Sequence, residues 1–396
     1  MADSKIRVCR DDDMKVKIGD ICTLKSGTSL KEDVLNESNG IPYIKVSDMN
    51  LVGNEKYIVR ANSYADESIN EKMLFPKGTV LFPKRGGAIG TNKKRIASKT
   101  VCADLNTMGV IPSDKISPLY LYYFFQNIDF ATLYNGSSVP QINNTDIAPM
   151  EINLISLEEQ DNIVTLLEKI DDIVRKRKKE LSALDNLIKA RFVEMFGNIL
   201  CDSNLPVIQL KKLADIGSSK RIYANEYVES GVPFYRSKEI RELGTGMKPS
   251  VELFIKQERY DEIKEKYGVP KVGDILIAAI GATIGYSWIV DSENPFYYKD
   301  GNIIILSIKD NVNPIFLNHT MRILIDDFKN KGVAGSAQLA LTIEKLEKMM
   351  VINPPIELQN RFADFVRAID KSKVKVQKAL DETQKLFDSL MQQYFG

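Results

Sequence analysis

The chain has 396 residues, 44% hydrophobic and 27% charged, and its 54 basic against 53 acidic residues leave a formal net charge of +1. That size admits two to four domains of ordinary globular composition. It excludes a uniformly basic chain built throughout for nucleic acid, and no apolar run approaches the roughly 18 residues of a membrane span. Four scattered cysteines, Cys9, Cys22, Cys102 and Cys201, show no C-x-x-C spacing. They read as reduced thiols of a cytoplasmic protein, not as a disulfide frame or a zinc site.

Residues 1–14 carry mixed charge (Arg7, Arg10, Asp11-Asp12-Asp13) and no apolar segment, so a disordered leader is expected and a signal peptide is not. Residues 15–155 form a first body. Short β-prone runs, Ile41 to Val46, Thr79 to Phe82 and Met108 to Ile111, alternate there with turns such as Ser38-Asn39-Gly40 and Gly86-Gly87. A helical piece is predicted from Pro118 to Leu133. A polar loop, Asn135-Gly136-Ser137-Ser138-Val139-Pro140-Gln141, follows it.

Residues 156–197 read as one long helix. Ser156 and Glu159 make an S-x-x-E capping box, and no proline or glycine intervenes before Gly197, a natural stop. A narrow apolar seam repeats every seven residues: Leu167, Val174, Leu181 and Ile188, interleaved with Ile170 and Leu184. The charged run Arg175 to Glu180 lies between its rows. The same segment recurs at 355–396. Gln160 aligns with Gln359, and Met195-Phe196-Gly197 falls on Tyr394-Phe395-Gly396 at a constant offset of 199. Its seam is Val366, Ile369, Val376, Leu380, Phe387 and Leu390. About 40 residues at ~1.5 Å each give a rod of roughly 60 Å, and each rod supplies the other with a partner of equal length.

Residues 205–354 repeat the first body in outline. Gly231-Val232-Pro233 answers Gly40-Ile41-Pro42, Gly281-Ala282-Thr283-Ile284-Gly285 answers Gly86-Gly87-Ala88-Ile89-Gly90, and Pro314 to Phe328 answers the helical piece. A second Gly-Ser loop runs from Gly335 to Gln338. The fold class expected is α+β: two tandem α/β bodies separated by two long helices, an internal repeat. A shared scaffold with divergent residues between its landmarks suggests one task performed on two targets.

Catalytic patterns are absent. The single histidine, His319, has no metal-spaced companions and is expected to be structural, and the glycine-rich turns match neither a P-loop nor a dinucleotide fingerprint. Asn353-Pro354-Pro355-Ile356 lacks the aromatic fourth residue of the adenine-methyltransferase signature, and prolines at a helix start explain it. Binding chemistry is better supplied. Lys77, Lys84, Arg85, Lys93, Lys94, Arg95 and Lys99 surround one turn with no acid among them, a charge density suited to DNA phosphates. In the second body the candidates are Lys220, Arg221, Tyr235, Arg236 and Lys238, matched in the first by Lys45 and Ser47. Gln141 and Gln338, in the Gly-Ser loops, have the amide that bonds adenine bidentately.

Together these features resemble the specificity subunits of type I restriction–modification systems, over nearly the whole chain from Lys17 to Gly396. The resemblance rests on the paired Gly-x-Pro strands and the Gly-Ser loops. It rests most on the helix signatures Ser156-Leu157-Glu158-Glu159-Gln160 with Met195-Phe196-Gly197, and Pro354-Pro355-Ile356-Glu357-Leu358-Gln359 with Tyr394-Phe395-Gly396. It implies two target-recognition domains, 15–155 and 205–354, separated by an antiparallel coiled coil with a pseudo-twofold axis. Each domain would read one half of a bipartite asymmetric double-stranded DNA site, the helices setting the spacer. The chain itself would be non-catalytic, bind no cofactor and contact no membrane. Two methylation subunits would supply S-adenosylmethionine chemistry at adenine, and restriction subunits the ATP- and Mg-dependent nuclease, in a bacterial or archaeal cytoplasm. A fused methyltransferase or nuclease, and a scaffold that binds only protein, are the rival readings.

Overall fold

The computed structural model describes residues 14–133, 140–201, 205–332 and 340–396. The expected leader, apart from Met14, and most of both Gly-Ser loops, Gln338 included, lie outside the described residues. The chain divides into two units: the segment up to Lys179 with Gln377–Gly396, and Glu180–Val376.

The first unit contains β1 (Lys15–Lys17), the single turn α1 (Ile18–Ile21), β2 (Cys22–Ser26), β3 (Leu35–Asn36), β4 (Ile41–Ile44), β5 (Tyr57–Ile58), β6 (Tyr64–Ala65), β7 (Val80–Pro83), β8 (Arg95–Ala97), β9 (Cys102–Ala103) and β10 (Thr107–Pro112). Then come α2 (Pro118–Gln126), α3 (Asn144–Ile147), β11 (Glu151–Asn153) and the long helix α4 (Leu157–Phe196). One sheet has the order β2-β10-β7-β8-β5 and a second β3-β6-β4-β9, while β1 pairs with β11 just before α4. The runs expected near 41–46, 79–82 and 108–111 form β4, β7 and β10. Strand alternation sends Val80 and Phe82 into the core under α2 and Leu81 into a separate cluster with Ile44 and Met49. Phe82 lies against Phe130 at 4.6 Å and Phe125 at 5.8 Å.

The second unit repeats this plan with β12 (Val207–Gln209), β13 (Ala214–Gly217), β14 (Tyr227–Val228), β15 (Val232–Tyr235), α5 (Ser237–Gly244), β16 (Phe254–Ile255), α6 (Gln257–Tyr267), β17 (Ile275–Ala278), β18 (Ser287–Ile289), β19 (Tyr297–Tyr298) and β20 (Ile303–Ile308). It ends with α7 (Pro314–Gly332), α8 (Ile343–Lys348), β21 (Met350–Ile352) and the second long helix α9 (Ile356–Phe395). Its sheets run β13-β20-β17-β18 and β14-β16-β15-β19, with β12 paired to β21. The one parallel pairing of the smaller sheet recurs as well, β4 on β9 and β15 on β19. Ile275 and Ile277 face one core cluster and Leu276 the other, repeating the β7 pattern. Among the described residues, β5 of the first unit has no counterpart strand in the second, and α6 of the second stands where the first has only the 3-10 turn Glu71–Met73.

The Gly-x-Pro repeat has a steric cause. Gly40 (φ +105°) and Gly231 (φ +148°) precede β4 and β15, and a Cβ on either would sit 2.2 Å from the Ala65 carbonyl oxygen or 2.4 Å from that of Ile255. No side chain fits there.

Each long helix spans 40 residues, and each unit holds half of both. The capping box forms: Ser156 Oγ accepts from Glu159 N–H, and Glu159 Oε2 accepts from Ser156 N–H, both at 3.3 Å. Gly197 ends the helix with φ +73°. The halves pair antiparallel. In the second unit Asp185 meets Lys373 at 2.7 Å, while further along α4 Phe192 meets Phe362, earlier in α9, at 5.3 Å. In the first, Val164 and Leu167 join Phe387, Leu390 and Met391 in one cluster. Leu167, Ile170, Val174, Ile188, Val366 and Leu380 are buried, and Leu181, Leu184, Ile369, Val376, Phe387 and Leu390 half-buried. Near the helix ends the buried row leaves the heptad: Ile188, Phe192 and Phe196 follow a spacing of four. There the helix packs on α7 and on α9 together, and a globular interface takes the wider stripe of a 3.6-residue turn.

The helical pieces differ from expectation. α2 stops at Gln126, because Asp129 accepts from Ala131 N–H and starts a separate 3-10 turn, Phe130–Thr132, and Asn127 donates its side chain to the Phe395 carbonyl at 3.1 Å. α7 continues to Gly332.

Candidate nucleic-acid interface

The glycine-rich stretch of the first unit is a 3-10 turn, Gly86–Thr91, closed by Asn92 in the left-handed region (φ 51°). It is stitched to the end of the Gly-Ser loop: Gly86 N–H donates to Pro140 O at 2.8 Å, Ile142 N–H to Lys84 O at 2.9 Å, and Arg85 Nε to Gln141 Oε1 at 3.2 Å. Next to it lies the 3-10 turn Val46–Asn50, since Lys93 Nζ donates to Asn50 Oδ1 and Arg95 to the Met49 carbonyl at 3.0 Å. Lys45 and Ser47, on that second turn, are exposed, as are Lys77, Arg85 and Lys99, and Lys93 is partly so. Among the described residues no carboxylate forms an ion pair with Lys45, Lys77, Lys84, Arg85, Lys93 or Lys99. Unpaired cations of this density are what phosphate neutralisation requires.

Three members of the predicted set are placed otherwise. Lys94 is fully buried. Its ammonium donates to Asn92 Oδ1 at 2.5 Å and Ile128 O at 2.7 Å, and lies 4.2 Å from the Phe130 ring centroid. Burial pushes its pKa down to about 8. It is a fastening between the glycine-rich turn and the segment after α2, not a phosphate ligand; it lies just ahead of β8 with its ammonium held inward by Asn92 and Ile128, while Lys93 and Arg95 on either side are partly exposed. Lys84 is nearly buried and donates to Ser26 Oγ at 2.7 Å. Arg95 spends its guanidinium on the Met49 and Lys94 carbonyls.

The second unit builds the same place with different charges. The turn Gly281–Thr283 follows β17, and Leu341 N–H donates to Ala279 O at 2.9 Å where the second loop returns. No lysine or arginine occurs between Lys271 and Lys299. Arg236 precedes α5 as Lys45 precedes its turn, and α5 packs on Gly281–Thr283. Lys238 is exposed but bonded to Glu252 at 2.7 Å. Arg221 is bonded to Asp300 at 2.7 Å. Lys220 lies 5.1 Å from the Tyr267 ring centroid. Tyr235, half-buried, stacks on Phe296 at 4.9 Å and packs against the core cluster, so its ring is not a free base platform.

Sequence reasoning missed the acids beneath these cations. Asp48, buried, accepts from Lys45 N–H at 2.8 Å and from the Asn62 side chain at 2.7 Å. Glu239, also buried, accepts from Arg236 N–H at 2.7 Å. The signal was present in both bodies as an acid three residues after the cation, the spacing of a helix cap. Gln160 and Gln359, equivalent positions of the repeat, carry a further structural role. Both are buried and hold a long helix to the start of α2 or α7. Gln160 Oε1 accepts from Ser117 N–H at 2.7 Å and Gln359 Oε1 from Asn313 N–H at 2.9 Å.

Among the described residues no group of His, Cys, Asp and Glu side chains could hold a metal ion, and no helix is long and apolar enough to cross a membrane. The family model described as the type I restriction modification DNA specificity domain matches the chain twice, over residues 11–183 and 203–383. A Haemophilus influenzae protein, provisionally named a type I restriction enzyme specificity subunit, is 27% identical over 260 residues, 64% of each chain. The MjaIX specificity subunit of a type I restriction enzyme from Methanocaldococcus jannaschii is 25% identical over 417 residues, 97% of this chain and 93% of that one. In fold, the crystal structure of a type I restriction-modification S subunit from M. genitalium superposes with a TM-score of 0.58 at 16% identity, covering 99% of this chain and 98% of the other. The chain belongs to the type I restriction modification DNA specificity family, as a specificity subunit with two such domains.

Proposed function

We propose that each unit reads one half of a bipartite, asymmetric double-stranded DNA site, residues 15–155 forming one reader and 205–354 the other. The observation that carries this reading is a pair of equivalent surfaces, each a glycine-rich turn beside a cation-bearing helical turn, built on one scaffold and furnished with different side chains. Phosphate contacts position a protein on a duplex, and side chains differing between two readers specify different bases. In the first reader the contacts fall to Lys45, Ser47, Arg85, Lys93 and Gln141. In the second they fall to Lys220, Arg221, Arg236, Lys238 and the loop that includes Gln338.

The paired helices α4 and α9 set the unspecified spacer between the half-sites, and their polar outer faces dock partner subunits. Two methylation subunits bring S-adenosylmethionine to adenine, and restriction subunits bring ATP- and Mg-dependent cleavage, in the cytoplasm of a bacterium or archaeon. Exchange of residues 15–155 for another reader, followed by methylome sequencing of cells that also express the methylation subunit, is expected to change one half-site only. A change in both halves overturns the modular assignment. One heptad inserted into both long helices is expected to lengthen the spacer with both half-sites intact.

A further inference from the structure

We propose that Glu252 is a specificity-determining residue of the second unit. Its carboxylate holds Arg236 and Lys238 away from DNA phosphates and yields them to a guanine–cytosine pair, where Arg236 takes the guanine edge and Glu252 the cytosine amine. The inference rests on the DNA-reading function proposed above and names the base-pair chemistry of one of its two surfaces.

It begins from the repeat. Both units place a cation ahead of a short helical turn and a buried acid three residues later, Lys45 with Asp48 and Arg236 with Glu239. In the first unit that acid is occupied by the Lys45 N–H and by Asn62, and the Lys45 ammonium stands exposed, 5.9 Å from the Tyr43 ring centroid. The second unit adds another acid from outside. Glu252 Oε2 accepts from Arg236 Nη2 at 2.9 Å, and Glu252 Oε1 accepts from Lys238 Nζ at 2.7 Å. The same nitrogen, Arg236 Nη2, also donates to Glu239 Oε1 at 3.0 Å. Two cations and two carboxylates cancel there, whereas the first unit sets Arg85 and Lys93, neither of them ion-paired among the described residues, beside Lys45 and Asp48, so a surface that is positive in the first unit is neutral in the second.

The loop presenting Glu252 is anchored on both sides of it. Ser250 donates its N–H and its hydroxyl to Glu242 of α5, both at 2.7 Å, and Phe234 N–H of β15 donates to Leu253 O at 2.9 Å. The carboxylate is exposed, and the two cations hold its pKa down to about 2, so it is ionised at every physiological pH. A phosphate approaching Arg236 or Lys238 therefore meets a fixed negative charge and must displace it. A guanine–cytosine pair offers compensation to both partners: guanine O6 and N7 accept from a guanidinium, and the cytosine N4 amine donates to a carboxylate. An element that repels the wrong partner supplies discrimination that attraction alone does not.

The test uses the full chain with its methylation subunits and a pool of randomised 40-base-pair duplexes, from which bound sequences are selected and read. The affinity of one unselected duplex is then followed between 50 and 200 mM salt. Glu252→Gln is expected to tighten binding of the unselected duplex about tenfold at low salt and to steepen its salt dependence by up to about two phosphate contacts. It is also expected to abolish a guanine–cytosine preference at one position of one half-site, with the other half-site unchanged. Glu252→Asp keeps the charge and is expected to retain that preference in weakened form. An unchanged selected site with an unchanged salt slope overturns the proposal. So does an equal effect from Glu344→Gln, which removes a paired surface carboxylate on α8 of the same unit, since the cause would then be net charge. A wild-type complex that selects no duplex fails before any variant is made, and brings down the DNA-reading function with it.

Discussion

The two units agree where backbone geometry is at stake and disagree where side chains meet solvent. Gly40 and Gly231 admit a neighbouring strand's carbonyl, Gln160 and Gln359 tie a long helix to the start of the helix beside it, and buried acids cap Lys45 and Arg236. Each of these depends on a contact whose geometry the backbone dictates: a glycine with no Cβ, a glutamine amide, and a carboxylate, from Asp48 or Glu239, three residues after the cation. The cations show no such agreement: those around the glycine-rich turn of the first unit form no ion pairs among the described residues, whereas three of the four in the second, Arg221, Arg236 and Lys238, are matched by carboxylates. Duplication preserved what folds the chain, and divergence fell on what a ligand would touch.

The interiors also differ where a long helix meets its unit, and this carries the largest expected effect. Phe362 is fully buried, 5.3 Å from Phe192, 5.6 Å from Phe196 and 5.3 Å from His319. At the repeat offset its counterpart is Ile163, only partly buried. Phe362→Ala is expected to cost about 3–5 kcal/mol in the second unit, and Ile163→Ala about half as much in the first. Native-state hydrogen exchange, read separately for amides of each unit, checks this, and equal losses would erase the distinction.

A second difference is titratable. Tyr123 of α2 and His319 of α7 stand at the same distance from their helix starts. Tyr123 donates to Glu168, which also pairs with Lys56, and burial pushes its pKa up, so it stays neutral. His319 is partly buried, and burial, then Arg322 and Lys373, hold its pKa down to about 4 against an opposing pull from Asp185. Because the unfolded chain takes up this proton near pH 6.5 and the folded chain only near 4, the contribution is complete above 6.5. It is lost as pH falls through that window. The loss amounts to at most about 3 kcal/mol, less for the part of the ring that water reaches. Urea unfolding at pH 7 and pH 4.5 is expected to show a smaller drop for His319→Gln than for the parent chain, confined to the second unit. An identical drop would remove His319 from the account.

Gln160 and Gln359 offer the complementary test, because here the units should behave alike. Replacing either with leucine leaves buried backbone groups unpaired, Ser117 N–H, Lys115 O and Ile155 O in one case and Asn313 N–H and Pro354 O in the other. About 2 kcal/mol is expected from each, measured as the change in unfolding free energy, and a silent variant in one unit would break the equivalence. These glutamines also mark how far the sequence could be read. Their constant offset revealed the repeat, and heptads placed the middle of both helices, because local periodicity determines both. The heptad missed Phe192 and Phe362, whose burial depends on α7 and on the opposite long helix. The sequence does not separate Lys94 from Lys93 and Arg95, because charge in a sequence carries no direction. Glu252 was invisible because sixteen residues separate it from Arg236, with a loop pinned by Ser250 between them.

The smallest effects concern single phosphates. An exposed cation that neutralises one phosphate contributes about 0.9 to the slope of log affinity against log salt, roughly threefold in affinity between 50 and 200 mM. Arg85→Ala and Lys93→Ala are each expected to make the slope shallower by about that amount in duplex binding by the complex. Lys94→Met is expected to leave it unchanged, since that ammonium is enclosed by Asn92, Ile128 and Phe130 and never reaches a phosphate. In the second unit Lys238→Ala removes a charge already balanced by Glu252, so its effect on the slope is expected to fall below that of Lys93→Ala. Equal slopes for Lys238→Ala and Lys93→Ala would show that the ion pair opens whenever DNA binds. The contrast between the two surfaces would then lie in the free protein alone.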